Sequence, residues 1–191
     1  IKKIKVGHAG TLDPLATGLL MICTGKMTKQ IEKFQAQTKE YSGTITLGSS
    51  TPSHDLETAI DQQFATHHIT KPLILKTAKE FGGEIMQYPP LYSALKKNGK
   101  RLYEFARAGK EVTISARQIN VYSFKITDIK NLEVYFKIKC GKGTYIRSLA
   151  RDFSKALKSG GHLSALRRTS IGDFSVNDAM SIEDFIEALK A

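Results

Sequence analysis

Apolar positions along the chain switch between the two-residue spacing of strands and the three-to-four-residue spacing of helices. Residues 19–23 (Leu-Leu-Met-Ile-Cys) are a short apolar run suited to a buried strand. Thr24-Gly25 breaks it, and Met27, Ile31 and Phe34 then share one face of a predicted helix over 26–36. Residues 40–48 alternate like a strand, and the polar stretch 49–68, with Pro52, reads as a loop or lid. Thr70 caps a helix with Pro72 in its first turn that runs to Phe81, before Gly82-Gly83 ends it. Pro89-Pro90 forbids helix within the less regular stretch 84–100. A short helix over 101–108 stops at Gly109, and three β-rich stretches follow at 111–116, 119–128 and 132–140. A helix fits 145–158 up to Gly160-Gly161, and 163–174 reads as a strand. Ser181 caps a last amphipathic helix expected to turn Ile182, Phe185, Ile186 and Leu189 inward.

No tandem repeat or low-complexity tract interrupts this order. Strands and helices mix without strict βαβ alternation, which predicts an α+β fold with a mixed, largely antiparallel sheet flanked by helices. A length of 191 residues allows one domain, or one large domain with a small appendage. No apolar run approaches the ~20 residues of a membrane-spanning helix, so no membrane partner is expected.

Charge adds a partner class. Lys and Arg number 29 and Asp and Glu 18, a formal net charge of +11. Such an excess points to a polyanion, most often nucleic acid, against the plainer reading of a merely basic soluble protein. Cys23 and Cys140 are isolated among apolar or β-branched neighbours, which fits buried free thiols in a reducing cytoplasm better than a disulfide framework. The five histidines, His8, His54, His67, His68 and His162, form no ligand cluster with them at zinc spacing, so no metal is expected.

The densest candidate chemistry lies at 7–18, Gly-His-Ala-Gly-Thr-Leu-Asp-Pro-Leu-Ala-Thr-Gly. Its glycines permit backbone conformations other residues resist, and Asp13-Pro14 fixes a loop tip. A carboxylate held on a rigid loop can act as nucleophile or base. Taken alone, an Asp-Pro pair more often marks a turn whose side chain caps its own backbone.

The longer run through Leu20 resembles the signature loop of the TruB family, the tRNA pseudouridine-55 synthases. Further blocks resemble that family in its order: Lys39-Glu40-Tyr41, the stretch from Gln87 to Lys96, Leu102 to Gly109, Gly143 to Leu149, and His162 to Arg168. The resemblance covers Gly7 to about Phe174. It implies a fold of the pseudouridine synthase type with an inserted loop that grips RNA, and isomerisation of uridine 55 in the T-arm stem-loop of tRNA. Neither a redox step nor a group donor is needed, so no cofactor is implied.

The resemblance also implies roles. Asp13 falls on the catalytic aspartate, and Tyr41 on the tyrosine that stacks on the target base. Tyr145 and Arg147 fall on the active-site Tyr and Arg, the Arg pairing with the aspartate. Leu166 falls on an apolar wall of the uracil pocket, and His8 on a histidine that contacts RNA. Lys96, Lys97, Lys100 and Arg101, with Arg107 beyond, lie in the region of the RNA-gripping loop; Arg167 and Arg168 are second candidate phosphate contacts. Residue types fit the chemistry. A guanidinium stays protonated and favours an ionised carboxylate beside it. Flipping a base out of its stack costs a few kcal/mol, and stacking on an aromatic ring returns roughly 1–3 kcal/mol. Without the motif, Tyr41, Tyr145 and Leu166 would each read as ordinary core residues and the basic run as a solvated face.

The family's N-terminal strand with its Lys-Pro motif and its C-terminal PUA-type domain have no counterpart in residues 1–191, which are read as the catalytic domain, with a natural N-terminal segment expected before Ile1. Residues 49–63 differ from the family's Thr- and Asp-rich version and receive no role. A monomer without obligatory protein partner is the default. The competing function is a non-catalytic RNA binder or tRNA-folding chaperone on the same scaffold, which needs the basic surface but not Asp13. A third is the guide-RNA-dependent branch of the same superfamily.

Overall fold

The computed structural model describes residues 4–97, 99–110 and 112–190. In chain order the elements are β1 (Val6–His8), β2 (Thr17–Gly18), β3 (Ile22–Thr24), a 3-10 turn (Gly25–Gln30), α1 (Ile31–Ala36), β4 (Lys39–Leu47), β5 (Ser49–Ser50), β6 (Gln62–Gln63) and α2 (Lys71–Glu80). Then come β7 (Gly83–Gln87), β8 (Lys96–Lys97), β9 (Lys100–Arg101), α3 (Leu102–Arg107), β10 (Arg117–Lys130), β11 (Glu133–Cys140), α4 (Ile146–Ala156), β12 (Gly161–Ile171), β13 (Phe174–Ser175) and α5 (Ile182–Ala188).

The main sheet runs β13-β12-β4-β11-β10-β7, antiparallel throughout, with β2 added in parallel along β12. Strand alternation places Ile45, Leu47, Val134, Phe136 and Ile138 on one face, and α2 and α4 pack there. α4 contributes Ile146, Leu149, Ala150 and Phe153 at helical spacing, with Leu157 one turn beyond. Phe124 packs edge-on against Phe81 and Phe136, and tilted against Phe153, at the centre of this core. Gly43 is required in mid-strand: an added Cβ would lie 2.4 Å from the Ala165 carbonyl oxygen and 2.8 Å from the Phe136 ring.

Local signals decide the elements that match expectation. Thr70 caps α2, its side chain accepting from the Leu73 amide, and Ser181 caps α5 in a capping box with Asp184. Both cysteines are buried and unpaired. Five expectations are corrected. The apolar run at 19–23 forms strand only from Ile22, and β3 pairs with β1 outside the main sheet. Its neighbour helix begins as a 3-10 turn with Met27 exposed. The stretch 84–100 contains a sheet-edge strand, β7, whereas 112–116 forms none; residue 111 of that stretch, like Asn98, lies outside the described residues. On α5 the apolar side faces outward, with Ile182 76% and Leu189 71% exposed.

Candidate active site

The loop from Ala9 to Ala16 joins β1 to β2 and is held from below by Arg168. This side chain is 1% exposed. Its Nε donates to the Leu19 carbonyl at 2.7 Å, and its terminal nitrogens donate to the Gly10 and Thr11 carbonyls at 3.1 and 3.5 Å. Gly18, at φ +99°, passes so close that an added Cβ would meet the Arg168 carbonyl oxygen at 2.2 Å. At the loop's tip, the Ala16 amide donates to the Asp13 carbonyl at 2.9 Å, closing a turn over Pro14.

Arg147 comes from the first turn of α4 and is 3% exposed. It donates to the Asp13 carboxylate at 2.5 Å and to the Ser53 carbonyl at 3.2 Å. Its Nε faces Asp55 at 3.5 Å, a charge contact without hydrogen-bond geometry. Asp13 itself remains 28% exposed, so its carboxylate is both anchored and reachable. The loop at 51–58, which buries Thr51, Ser53 and Asp55, is knit by its own hydroxyls, with Ser53 and Thr58 sharing a bond at 2.8 Å. His54 sits there in the left-handed region at φ 63°, and burial, with the Arg151 and Arg147 charges, pulls its pKa down to about 4.

Asp13 and Arg147 open onto a cavity of about 400 Å³. Tyr41, Tyr145, Leu166 and Arg168 line it. Burial raises the Tyr41 phenol above its ordinary pKa, the thiol of Cys140 adding to this and the Arg168 charge opposing it, so the ring is presented with a neutral hydroxyl. The Tyr145 ring carries the Arg117 guanidinium 4.7 Å from its centroid, and Arg117 also donates to the Gly143 carbonyl. The backbone of Tyr145 is gripped at both ends by the fully buried Gln87 amide, at 3.1 and 2.8 Å. Ser93 lines the cavity with a buried hydroxyl lacking a partner among the described residues. No group of His, Cys, Asp and Glu suited to a metal occurs among the described residues.

Five predicted site residues, Asp13, Tyr41, Tyr145, Arg147 and Leu166, therefore share one cavity. His8 lies apart, exposed on β1 and outside the cavity lining. Lys96, Lys97, Lys100 and Arg101 form the β8–β9 ribbon, where the Lys97 amine bonds the Thr113 carbonyl and Arg101 lies 5.9 Å from the Tyr103 ring centre. Arg107 is exposed, 5.3 Å from the same ring centre and 3.6 Å from Glu57. Arg167 is exposed, but Arg168 is not a surface cation: its guanidinium is committed to loop carbonyls. Sequence reasoning missed Asp55, Gln87 as a clamp, and Arg117. Asp55 follows His54 in a polar loop with no distinguishing spacing, and the other two gain meaning only from contacts distant in sequence.

Comparison with known proteins gives the family. Residues 1–146 match the N-terminal domain of the TruB family pseudouridylate synthases, and residues 147–191 match the tRNA pseudouridylate synthase B C-terminal domain. The junction falls between Tyr145 and Arg147, so the cavity draws on both parts. The chain is 58% identical over 189 residues to tRNA pseudouridine synthase B of Flavobacterium johnsoniae, covering 99% of this chain and 82% of that protein. It is 50% identical over 189 residues to the protein of the same name in Phocaeicola vulgatus, covering 99% and 80%. Among solved structures, a Cbf5-Nop10-Gar1 complex matches with a TM-score of 0.70 and 30% identity. An H/ACA RNP bound to a substrate RNA containing 2'-deoxyuridine matches at 0.69 and 27%. Both cover 96% of this chain but only 45% and 44% of those chains, less than half their length. The chain belongs to the TruB family of pseudouridylate synthases.

Proposed function

We propose that this protein isomerises uridine 55 to pseudouridine in the T-arm of tRNA, acting on free tRNA as a monomer in the cytoplasm. The observation that carries the reading is the Asp13–Arg147 pair at 2.5 Å, set at a cavity of about 400 Å³ between an aromatic ring and an apolar side chain. Relatives named tRNA pseudouridine synthase B, at 50–58% identity over nearly the whole chain, support the substrate class.

The reaction breaks the bond between ribose C1′ and uracil N1 and forms one between C1′ and C5. The proton on C5 leaves and N1 gains one, so the product is an isomer. An ionised oxygen must stand at the base–sugar junction, and Asp13 supplies it. Arg147 holds that oxygen at 2.5 Å and points it into the cavity, its planar fork fixing the orientation of the carboxylate. Tyr41 offers a face for the flipped uracil and offsets part of the unstacking cost. Leu166 walls the pocket, and Tyr145, fixed through its backbone by Gln87, closes the side facing Arg117. Arg168 acts as a positioning residue beneath the Asp13 loop. The Lys96–Arg101 ribbon and Arg107 supply phosphate contacts near the cavity mouth, and His8 a further RNA contact.

The test uses the purified chain and unmodified tRNA, without guide RNA or other proteins. Carbodiimide treatment followed by primer extension maps pseudouridine to the nucleotide. A stop marking position 55 alone is expected. Tight binding without any stop would support the RNA-chaperone reading, and modification only with added guide and partner proteins would support a guide-dependent enzyme.

A further inference from the structure

The face of the sheet turned away from α2 and α4 carries a row of side chains in direct register. Lys125 on β10 lies opposite Lys137 on β11, and Lys137 opposite Ser42 on β4. Ser42 in turn lies opposite Arg167 on β12, and Arg167 opposite Thr17 on β2. The alternate positions Phe124, Phe136 and Ile138 are in the core, which puts the row on the open face. At the usual strand spacing, Lys125 to Arg167 spans about 14–15 Å.

Two features make this row more than scattered surface charge. Like charges directly opposite each other weaken a strand pair, yet Lys125 and Lys137 are placed so. Among the described residues, none of Lys125, Lys137 and Arg167 has a carboxylate within ion-pair distance. Glu40 shares this face and lines one groove with Lys125 and Lys137 but is held 3.0 Å from Lys139, while Asp128 and Glu133 sit at the β10–β11 turn with Lys130 and Tyr135 as partners. The row also adjoins the active site. A groove of about 490 Å³ holding Lys125 and Lys137 is bounded by Tyr41, and a second groove of about 300 Å³ holding Lys137 and Arg167 is bounded by Leu166. Both residues also line the catalytic cavity.

We infer that this open face is a second contact surface for the RNA substrate, a track on which Lys125, Lys137 and Arg167 neutralise phosphates of the tRNA outside the T-arm and the Ser42 hydroxyl donates to a phosphate oxygen. The inference rests on the tRNA reading above. Phosphate groups between the paired lysines relieve their mutual repulsion, so the arrangement that costs stability in the free protein favours the complex.

The experiment measures equilibrium binding of full-length unmodified tRNA and of an isolated T-arm stem-loop to wild type and to the Lys125→Gln/Lys137→Gln double variant, across a salt series. The expected result is at least tenfold weaker binding of full-length tRNA at low salt, against less than threefold for the stem-loop. The slope of log K against log[salt] flattens by about 1.4–1.8, two contacts at roughly 0.7–0.9 each. Lys125→Gln alone, which keeps most of the side-chain stem, gives the same ranking at smaller size. Unchanged affinity and slope for full-length tRNA overturn the track, as does an equal loss on both RNAs. Isomerisation of the stem-loop by wild type is followed alongside: its absence strikes at the tRNA reading, whereas the binding difference judges the track itself.

Discussion

Arg147 joins Asp13 to Asp55. Its guanidinium holds the first at 2.5 Å across 134 positions of sequence and faces the second at 3.5 Å. One cation thus ties the loop after β1 and the loop after β5 to the start of α4, and the buried Asp55 balances a charge that Asp13 alone would share with solvent. Arg147→Lys keeps the charge but cannot reproduce the planar fork that reaches Asp13, Ser53 and Asp55 together. Its activity is expected to fall at least about 100-fold. Arg147→Met also leaves Asp55 buried without a cation and should destabilise the fold by about 3–5 kcal/mol. Steady-state kinetics and urea titration check the two effects separately.

Asp55→Asn removes the second counter-charge while keeping the shape. Arg147 then loses the partner that aligns its Nε side, and the Asp13 carboxylate loses its fixed orientation. A drop in kcat of about tenfold or more is expected, equivalent to about 1.4 kcal/mol, with tRNA affinity within a few-fold of wild type. A rise in KM with kcat intact would show that Asp55 serves binding instead.

Tyr41→Phe preserves the stacking face and removes a hydroxyl already held neutral by burial. Its activity should stay within a few-fold of wild type. Tyr41→Leu removes the ring, and the loss should follow the stacking energy of roughly 1–3 kcal/mol, about 5- to 150-fold in kcat/KM. Equal effects from the two substitutions would mean that the hydroxyl, not the ring, matters.

Burial and two arginines lower the His54 pKa to about 4 in the folded protein, against 6.5 for the free side chain. The unfolded chain therefore binds the extra proton first as pH falls. Stability contributed by neutral His54 is present above about pH 6.5 and is lost progressively toward pH 4, by up to about 3 kcal/mol. Urea unfolding at pH 7 and pH 4.5 measures the change. His54→Asn, which tolerates the positive φ, should flatten the dependence across this window.

Elements whose cause is local were legible in the sequence. The Thr70 cap, the alternation of β4 and the apolar stripe of α4 each fix their element through near neighbours. β7 was hidden because its five residues gain their strand character by pairing with β10, far along the chain. The converse holds at 112–116, where Val112, Thr113 and Ile114 favour a strand but find no partner in the sheet. The α5 pattern correctly predicted an amphipathic helix, but a pattern cannot say whether anything covers its apolar face.

The same division applies to the site. Asp13, Tyr41, Tyr145, Arg147 and Leu166 were found through motif resemblance, and the fold gathers them round one cavity. Charge in a sequence suggests exposure and makes Arg168 a candidate phosphate contact, whereas in the fold it is spent on carbonyls of the loop. The partnership of Ser53 with Arg147 spans 94 positions, and no composition or spacing encodes it.

The central claim is that an anchored Asp13 carboxylate performs the chemistry. Its most direct test is tritium release from tRNA carrying 5-tritiated uridine, comparing wild type with Asp13→Asn, whose tRNA affinity is measured in parallel. Release by wild type, with none by Asp13→Asn despite near-normal tRNA binding, is the predicted result. Release by the variant at the wild-type rate would contradict the account.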